Sequence, residues 1–257
     1  EYAGKVLFEQ GEYQLQTDLW GIYDVNNKMT SENIYFLSTN RQRSAGKSGF
    51  AAIWMPNPGV SYSTDFNVNH PFIEDTYLPT TWGFRVYRMT NEFVNSYEAG
   101  DLRKNLYSNT IYNPDGSVSA TYNEHHFSLK YIDPEWVDWD KTSSSPLYLR
   151  MSDIPWVYAE ASGPTAEGYE WLNKIRNRAG LDDATVGLGQ SEFRDVVRNE
   201  RKYELSGEGN RLFELRRTRK VIDILGQVSF PYLYPLPQNE VDVNPNIDFD
   251  AEKISLQ

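Results

Sequence analysis

Amphipathic helical segments separated by glycines fill the last third of the sequence, and this pattern constrains the fold most. In Pro164–Leu181, the apolar residues Trp171, Leu172 and Ile175 recur on one helical face, and Gly180 follows as a stop signal. Two more helices are predicted between residues 191 and 225, because a second periodic stretch is interrupted by closely spaced glycines. Helices joined by short turns pack in antiparallel pairs, so this region predicts a scaffold of helical pairs.

The preceding two thirds of the sequence are less regular. We predict a short helix at Glu1–Gln10, a strand at Glu32–Thr39, a helix within Pro79–Asp101 and a hairpin at Ile111–Tyr122. Ala51–Thr64 contains two prolines and a glycine and is predicted to be a surface loop that carries aromatic residues. The fold is therefore predicted to be mainly α, with helical pairs, long irregular loops and a few short β-hairpins.

Charge and residue content exclude several classes of protein. The formal net charge is −11 over 257 residues, and such a field repels a phosphate backbone, so no nucleic-acid partner is expected. The chain has no cysteine, which excludes disulfides, thiolate metal sites and a cysteine nucleophile. No apolar run reaches the roughly 20 residues that a membrane-spanning helix needs.

Motifs for catalysis or cofactor binding are incomplete. Ser44–Ser48 resembles the end of a phosphate-binding loop, but Arg41 stands where the motif requires its first glycine. Gly207–Leu212 lacks the third glycine of a dinucleotide fingerprint, and His125 and His126 are adjacent without a zinc-binding spacing. No cofactor is expected. Loop carboxylates leave a structural Ca²⁺ site open, although no ligand pattern indicates one.

Five aromatic residues stand beside Pro, Gly, Asn, Thr or Asp rather than in periodic apolar runs. Such rings suit sugar recognition, because the C–H face of a pyranose stacks on a ring while planar polar side chains bind hydroxyl pairs. For each ring alone, packing over a core edge is the commoner role, but we expect at least one of the five to contact ligand. These candidate ligand-binding residues are Trp54, Tyr62, Trp82, Trp136 and Trp139.

The arginine-rich stretch Arg198–Lys220 interleaves acidic with basic residues. Several of these charges stand at helical pairing distance, and the planar fork of arginine can hold two partners. We therefore predict a partly buried ion-pair network that locks a helical hairpin, rather than a basic binding surface. Its predicted members are Glu200, Arg201, Glu204, Arg211 and Arg216.

Five separated stretches resemble, in order, the motifs of one known family. They are EYAGKVLFEQGEYQL (Glu1–Leu15), LRMSDIPWVYAEA (Leu149–Ala161), LNKIRNRAGL (Leu172–Leu181), RNERKYELSGEGNRLFELRRTRK (Arg198–Lys220) and YLYPLPQNEVDVNPN (Tyr232–Asn246). The family is SusD/RagB, the outer-membrane nutrient-binding lipoproteins. The resemblance implies one SusD-like domain over residues 1–257, which corresponds to the C-terminal portion of such a protein. We expect the family's N-terminal half, with its lipoprotein signal, to lie outside this sequence.

The resemblance also implies a function. Members of this family are non-catalytic; they bind oligosaccharides or polysaccharides at the cell surface and deliver them to a SusC-like TonB-dependent transporter. A lipid anchor outside this chain would hold the protein at the outer membrane. The alternatives are binding of a peptide or another nutrient by the same scaffold, a glycoside hydrolase, and a purely structural module.

Overall fold

The structure is a computed structural model that describes most of the chain. The described residues are 1–42, 49–55, 65–67, 77–79, 86–112, 117–133, 135, 140–226 and 237–244. The chain divides into two compact units, Glu1–Glu204 and Leu205–Gln257. Each unit is described by itself, and the expectation of a single domain over residues 1–257 stays a prediction.

The first unit contains six of the described helices and all of the described strands. Its helices are α1 (Tyr2–Phe8), α2 (Phe50–Trp54), α3 (Asn91–Asn95), α4 (Asp153–Ser162), α5 (Ala166–Arg178) and α6 (Gln190–Glu204), with 3₁₀ turns at Gly21–Tyr23 and Leu102–Leu106. Its strands are β1 (Asn33–Phe36), β2 (Asp65–Asn67), β3 (Tyr77–Pro79), β4 (Met89–Thr90), β5 (Tyr107–Ser108), β6 (Thr110–Tyr112), β7 (Val118–Thr121), β8 (His125–Ser128) and β9 (Leu147–Arg150). The described part of the second unit contains α7 (Arg211–Arg217), α8 (Val221–Leu225) and α9 (Gln238–Val243).

Packed helices form the scaffold of the first unit. Helix α4 packs against α5 and α6, and α1 packs against α4. Trp156, Leu172 and Phe193 are buried, one on each of α4, α5 and α6. The predicted mainly helical fold with paired helices is confirmed.

Helix α5 shows how local sequence sets a helix and its ends. The Thr165 hydroxyl accepts a hydrogen bond from the Gly168 N–H at 3.1 Å and caps the N-terminus. Gly180 follows the helix with φ +78°, a conformation that favours glycine. A Cβ at this position would also lie 3.1 Å from the Leu102 side chain. Cap and stop therefore bound the segment whose apolar face the spacing predicted.

The strands form small antiparallel sheets. Among the described residues, β1 pairs with β9, β3-β2-β6-β7 form a second sheet, and β4-β8-β5 form a third. The predicted hairpin is confirmed as β6 and β7, in which Ile111 pairs with Ala120. The β1-β9 pair brings Asn33 opposite Arg150. Because 117 positions separate these two residues, no local pattern indicated that pairing.

Three local predictions need correction. In the described part of Pro79–Asp101, α3 is the one helix, and Met89 and Thr90 pair as a strand with β8. The loop predicted at Ala51–Thr64 begins as helix α2, whose alanines are buried. The four prolines of Phe230–Asn246 predict an extended, irregular tail, but its described part contains α9.

The second unit also differs from its prediction. One continuous helix was expected after the glycine turn, but α7 and α8 are separate. Arg219, between them, has φ 59°, and the Lys220 N–H donates to the Leu215 carbonyl at 2.8 Å, which ends α7. A non-glycine residue in this conformation carries no obvious sequence signal.

We predict that Phe193→Ala lowers the free energy of unfolding by about 3–5 kcal/mol, because it leaves a cavity in a packed interior. Phe193 is fully buried on α6, and its ring lies 4.7 Å from that of Tyr169. The control is Phe213→Ala, whose side chain is exposed on α7 and whose loss should cost under about 0.5 kcal/mol. Urea unfolding of both variants provides the measurement, and equal midpoints would contradict the assignment of Phe193 to the core.

Candidate functional site

An open cleft of about 400 Å³ lies beside strand β1, and we call it the β1 cleft. Its size falls in the range of about 300–1,000 Å³ that is typical of small-molecule sites. Polar side chains dominate its lining, together with one half-buried ring. Its lining residues include Asn26, Lys28, Phe36, Asn40, Arg41 and Gln42.

One wall of the β1 cleft is a loop held by a buried asparagine. The side-chain amide of Asn33 donates to the backbone carbonyls of Ile22 at 3.0 Å and Lys28 at 3.2 Å. At the same time, the Asn33 backbone N–H donates to the hydroxyl of Thr30 at 3.2 Å. Because Asn33 is buried, these bonds are shielded from water, and they fix the backbone that carries Lys28.

The opposite wall is fixed by Arg41 and a buried carboxylate. One guanidinium nitrogen of Arg41 donates to Asp133 at 3.1 Å, and the other donates to the side-chain oxygen of Asn26 at 3.3 Å and to Glu135. Asp133 is fully buried and also accepts from the Ser143 N–H at 2.6 Å. Asp133 thus connects Arg41 in the cleft wall with Ser143, ten positions further along the chain.

Lys28 is a half-buried cation in the lining. Its ammonium donates to the backbone carbonyl of Thr39. Within the described part of the chain, no carboxylate lies within 4.0 Å of it. Burial lowers the pKa of Lys28, the nearby Asp133 opposes this shift, and Arg41 adds to it.

Sequence reasoning missed the β1 cleft. Its signal consists of two short polar runs, DVNNK (Asp24–Lys28) and STNRQ (Ser38–Gln42), which flank strand β1. Each run combines asparagine with a basic residue, which suits binding to ligand oxygens. In the sequence, Arg41 is notable only because it stands where a phosphate-binding loop requires its first glycine.

The structure corrects the placement of Trp54. This residue lies at the end of helix α2 and is only 8% exposed. Its ring lies 5.2 Å from that of Tyr131 and 5.1 Å from that of Tyr87, within a hydrophobic core cluster. Trp54 packs inside the protein because the segment before the prolines is helical and places the ring inward. It is therefore not an exposed stacking ring.

The other four aromatic candidates lie outside the described residues. They are Tyr62, Trp82, Trp136 and Trp139. Their role in ligand binding stays a prediction.

The β1-β9 sheet carries an exposed pair of tyrosines that the sequence did not indicate as ligand-binding residues. Tyr35 and Tyr148 are 63% and 60% exposed, and their ring centroids lie 5.8 Å apart with a tilt of 43°. Each occupies an outward position of its strand. Strand alternation would not have identified either ring, because Asn33 and Arg150, two positions away on the same strands, are buried and the β1-β9 register shifts beside Tyr35.

A buried cluster of charges lies at the C-terminal end of α6. Arg150 is fully buried, and one of its nitrogens donates to Glu32 and to Glu204, both at 2.7 Å. Its other terminal nitrogen donates to the backbone carbonyl of Glu204 at 3.0 Å. Arg178 also donates to Glu204, at 2.7 Å, and to Glu32.

A second part of this cluster surrounds Glu200. Arg103 donates to Glu200 at 2.8 Å and to Asp101 at 2.6 Å, and Arg176 also donates to Glu200. The carboxylates around Arg103 raise its pKa against the opposing effect of burial. Since Glu200 and Glu204 of α6 are both buried and paired, we call the whole set the α6 charge cluster.

The electrostatics of Glu204 follow from this arrangement. Burial alone would raise its pKa, but the surrounding cations lower it well below the ordinary value. The cations are Arg178, Arg150, Arg103 and Lys130.

Three of the five residues predicted to form an ion-pair network, Glu200, Arg201 and Glu204, belong to the first unit. Glu200 and Glu204 are buried and pair with arginines outside the predicted set, while Arg201 is half-buried. Arg211 and Arg216 belong to the second unit, so the locking of a hairpin by all five residues stays a prediction. Arg176 and Arg178 stand in the sequence NKIRNRAG and could have been suggested as partners by their position near a helix end.

The described residues contain neither a metal-binding group nor a membrane-spanning helix. No group of three or more His, Asp or Glu residues is arranged to hold a metal ion in this part of the chain. None of the helices found there combines the length and the apolar content needed to cross a membrane.

Comparison with known proteins establishes the family. The SusD family model matches residues 62–228, well over half of the sequence, so the chain belongs to the SusD family. SusD-like protein P25 of Formosa agariphila is 28% identical over 178 residues, which cover 62% of this chain and 30% of that protein. SusD-like protein P2 of the same organism is 28% identical over 128 residues, 42% of this chain and 25% of that protein.

Solved structures share the fold. A SusD superfamily protein from Parabacteroides distasonis aligns with TM-score 0.70 and 22% identity, over 96% of this chain and 55% of its own. Surface glycan-binding protein A from Bacteroides thetaiotaomicron, in complex with laminarihexaose, aligns with TM-score 0.69 and 20% identity, over 95% and 56%. The resemblance and the SusD-like fold expected from the sequence are confirmed. The chain spans less than a third of the curated relatives and about half of these structures.

We predict that Arg150→Met lowers the free energy of unfolding by about 3–5 kcal/mol, since it leaves Glu32 and Glu204 buried with one cation fewer. The control is Lys174→Met, which breaks an exposed pair with Glu170 of the same 2.7 Å length. That change should cost less than about 1 kcal/mol. Urea unfolding at neutral pH measures both, and a small loss for Arg150→Met would contradict a stabilising role of the cluster.

We also predict that acid removes the contribution of Glu204. The folded-state pKa of Glu204 is depressed, so its stabilisation is present above the unfolded-state pKa of about 4.3 and is lost as the pH falls below it. The difference in unfolding free energy between wild type and Glu204→Gln should therefore shrink below about pH 4.5. It should shrink by at most about 1.4 kcal/mol per pH unit. Urea unfolding between pH 7 and pH 3 checks this, and a difference that stays constant would contradict it.

Proposed function

We propose that this chain is part of a cell-surface protein that binds oligosaccharides or polysaccharides without catalysing their cleavage. Membership of the SusD family is the observation that carries the proposal. The fold likeness to a surface glycan-binding protein in complex with laminarihexaose, and to a laminarin-binding SusD-like protein, supports it. We further propose that the full-length protein is lipid-anchored at the outer membrane and delivers its ligand to a SusC-like TonB-dependent transporter.

The chemistry of the β1 cleft supports a sugar ligand. Asn26, Asn40 and Gln42 supply planar amides, which can form paired hydrogen bonds with neighbouring hydroxyl groups. Phe36 supplies an apolar ring in the same lining. A site with few rings and several planar polar groups is suited to a polar, hydroxyl-rich ligand.

Stacking rings complete the proposed site. Trp136 and Trp139 follow Asp133 by three and six residues, and Asp133 contacts the cleft residue Arg41. Three residues of extended chain reach about 10–11 Å, so Trp136 can act close to the cleft. We propose Tyr62, Trp82, Trp136 and Trp139 as the ligand-stacking residues.

A glycan panel tests the proposal. The full-length protein should bind at least one oligosaccharide by isothermal titration calorimetry, with no reducing ends released during prolonged incubation. Trp136→Ala or Trp139→Ala should cost about 1–3 kcal/mol of binding free energy, while Lys174→Ala, on an exposed face of α5, should cost nothing measurable.

Each alternative has its own signature in this experiment. Release of reducing ends would identify a glycoside hydrolase instead of a binder. Binding of peptides but of no glycan would favour another nutrient on the same scaffold. Unchanged affinity in all four aromatic variants would leave glycan binding standing but reject the stacking assignment.

A further inference from the structure

The β1 cleft offers a ligand hydrogen-bond donors from its side-chain amides and from Lys28. The side-chain oxygen of Asn26 accepts from Arg41 at 3.3 Å, and the side-chain oxygen of Asn40 accepts from the Gln42 N–H at 2.8 Å. Each amide oxygen therefore already accepts one hydrogen bond from the protein, while the NH₂ group of each amide remains a donor for a ligand. Such a lining fits a ligand group that only accepts hydrogen bonds.

Lys28 adds a positive charge beside these donors. The ammonium has three N–H donors, and the described chain supplies it with one acceptor, the carbonyl of Thr39. The described lining of the cleft contains no Asp or Glu, although the chain as a whole carries a net charge of −11. The adjoining small pocket contains side chains of both charges, since the acidic Asp24 and the basic Lys130 both line it.

Among the described residues, three acidic groups border the cleft: Asp24 accepts from the Asn26 N–H at 2.8 Å, while Asp133 and Glu135 lie behind Arg41. Asp133 and Glu135 both contact its guanidinium, and the Arg41 side chain is only 11% exposed. Arg41 pairs with these carboxylates and orients Asn26, while Lys28 has no carboxylate within 4.0 Å in the described part of the chain and is affected by Asp133 only at longer range. Because burial lowers the pKa of Lys28, an anion bound beside it would recover part of the lost solvation.

We propose that the β1 cleft binds the anionic group of an acidic oligosaccharide, held by the ammonium of Lys28 and the amide NH₂ groups of Asn26 and Asn40. This inference rests on the proposed function and names its ligand class. Uronate carboxylates and sulfate esters share the required chemistry, since both present oxygens that accept charge-assisted hydrogen bonds.

The test uses matched ligands and the full-length protein. Oligogalacturonate is compared with its methyl ester, and a sulfated galactan oligosaccharide with its desulfated form. The acidic member of at least one pair should bind about tenfold more tightly by isothermal titration calorimetry. The pair that shows the difference identifies carboxylate or sulfate as the recognised group.

Variants assign the effect to Lys28. Lys28→Met keeps an apolar stem but removes the charge, so it should lower the affinity for the acidic ligand about tenfold and leave the neutral counterpart unchanged. Lys28→Arg should retain most of the preference, and Lys174→Met, at an exposed position on α5, should behave as wild type. Thermal unfolding of each variant shows whether it is folded.

The experiment distinguishes failure of this inference from failure of the proposed function. Neutral glycans that bind as tightly as acidic ones, or a Lys28→Met variant that weakens both equally, would overturn this inference and leave glycan binding intact. A full-length protein that binds neither member of either pair, nor any other glycan, would overturn both this inference and the proposed function.

Discussion

The buried contact between Arg150 and Glu204 is the constraint on which the rest of the first unit depends. Arg150 ends β9, Glu204 ends α6, and Glu32 stands immediately before β1. Removing one partner of such a group leaves an uncompensated charge in the interior, which is strongly unfavourable. The register of the β1-β9 sheet and the position of the end of α6 are therefore set together, because neither can shift without separating these charges.

This constraint extends to the β1 cleft through adjacent residues. Glu32 belongs to the α6 charge cluster, and the next residue, Asn33, holds the backbone of Lys28. The strand then continues through Phe36 toward Arg41, so both walls of the cleft flank a strand whose position the charge cluster fixes. A rigid first strand is what a binding site needs, since side chains that are already ordered lose less entropy when a ligand binds.

The sequence predicted those parts of the fold that local chemistry decides. Helix α5 has its own cap, apolar face and glycine stop, and so it could be found without knowledge of its neighbours. Trp54 and the segment before α3 were placed wrongly because packing partners far along the chain decide their environment. The glutamates of α6 were recognised, but their partner Arg103 lies 97 positions from Glu200, beyond any helical spacing. The cleft was missed for the same reason, since Arg41 of one wall is held by Asp133, 92 positions along the chain.

The distribution of cations explains how an acidic protein could attract an acidic ligand. Several basic residues, among them Arg103, Arg150 and Lys130, are buried and neutralise internal carboxylates or bind backbone carbonyls, so the field outside the protein follows its net charge of −11. That field opposes the approach of an anion, but at physiological ionic strength it is screened beyond about 8 Å. In the binding that we propose, an anion within this distance meets the Lys28 ammonium and the amide donors of the cleft directly. The geometry of one lysine can therefore decide selectivity, whereas the net charge of the chain affects mainly the rate of encounter.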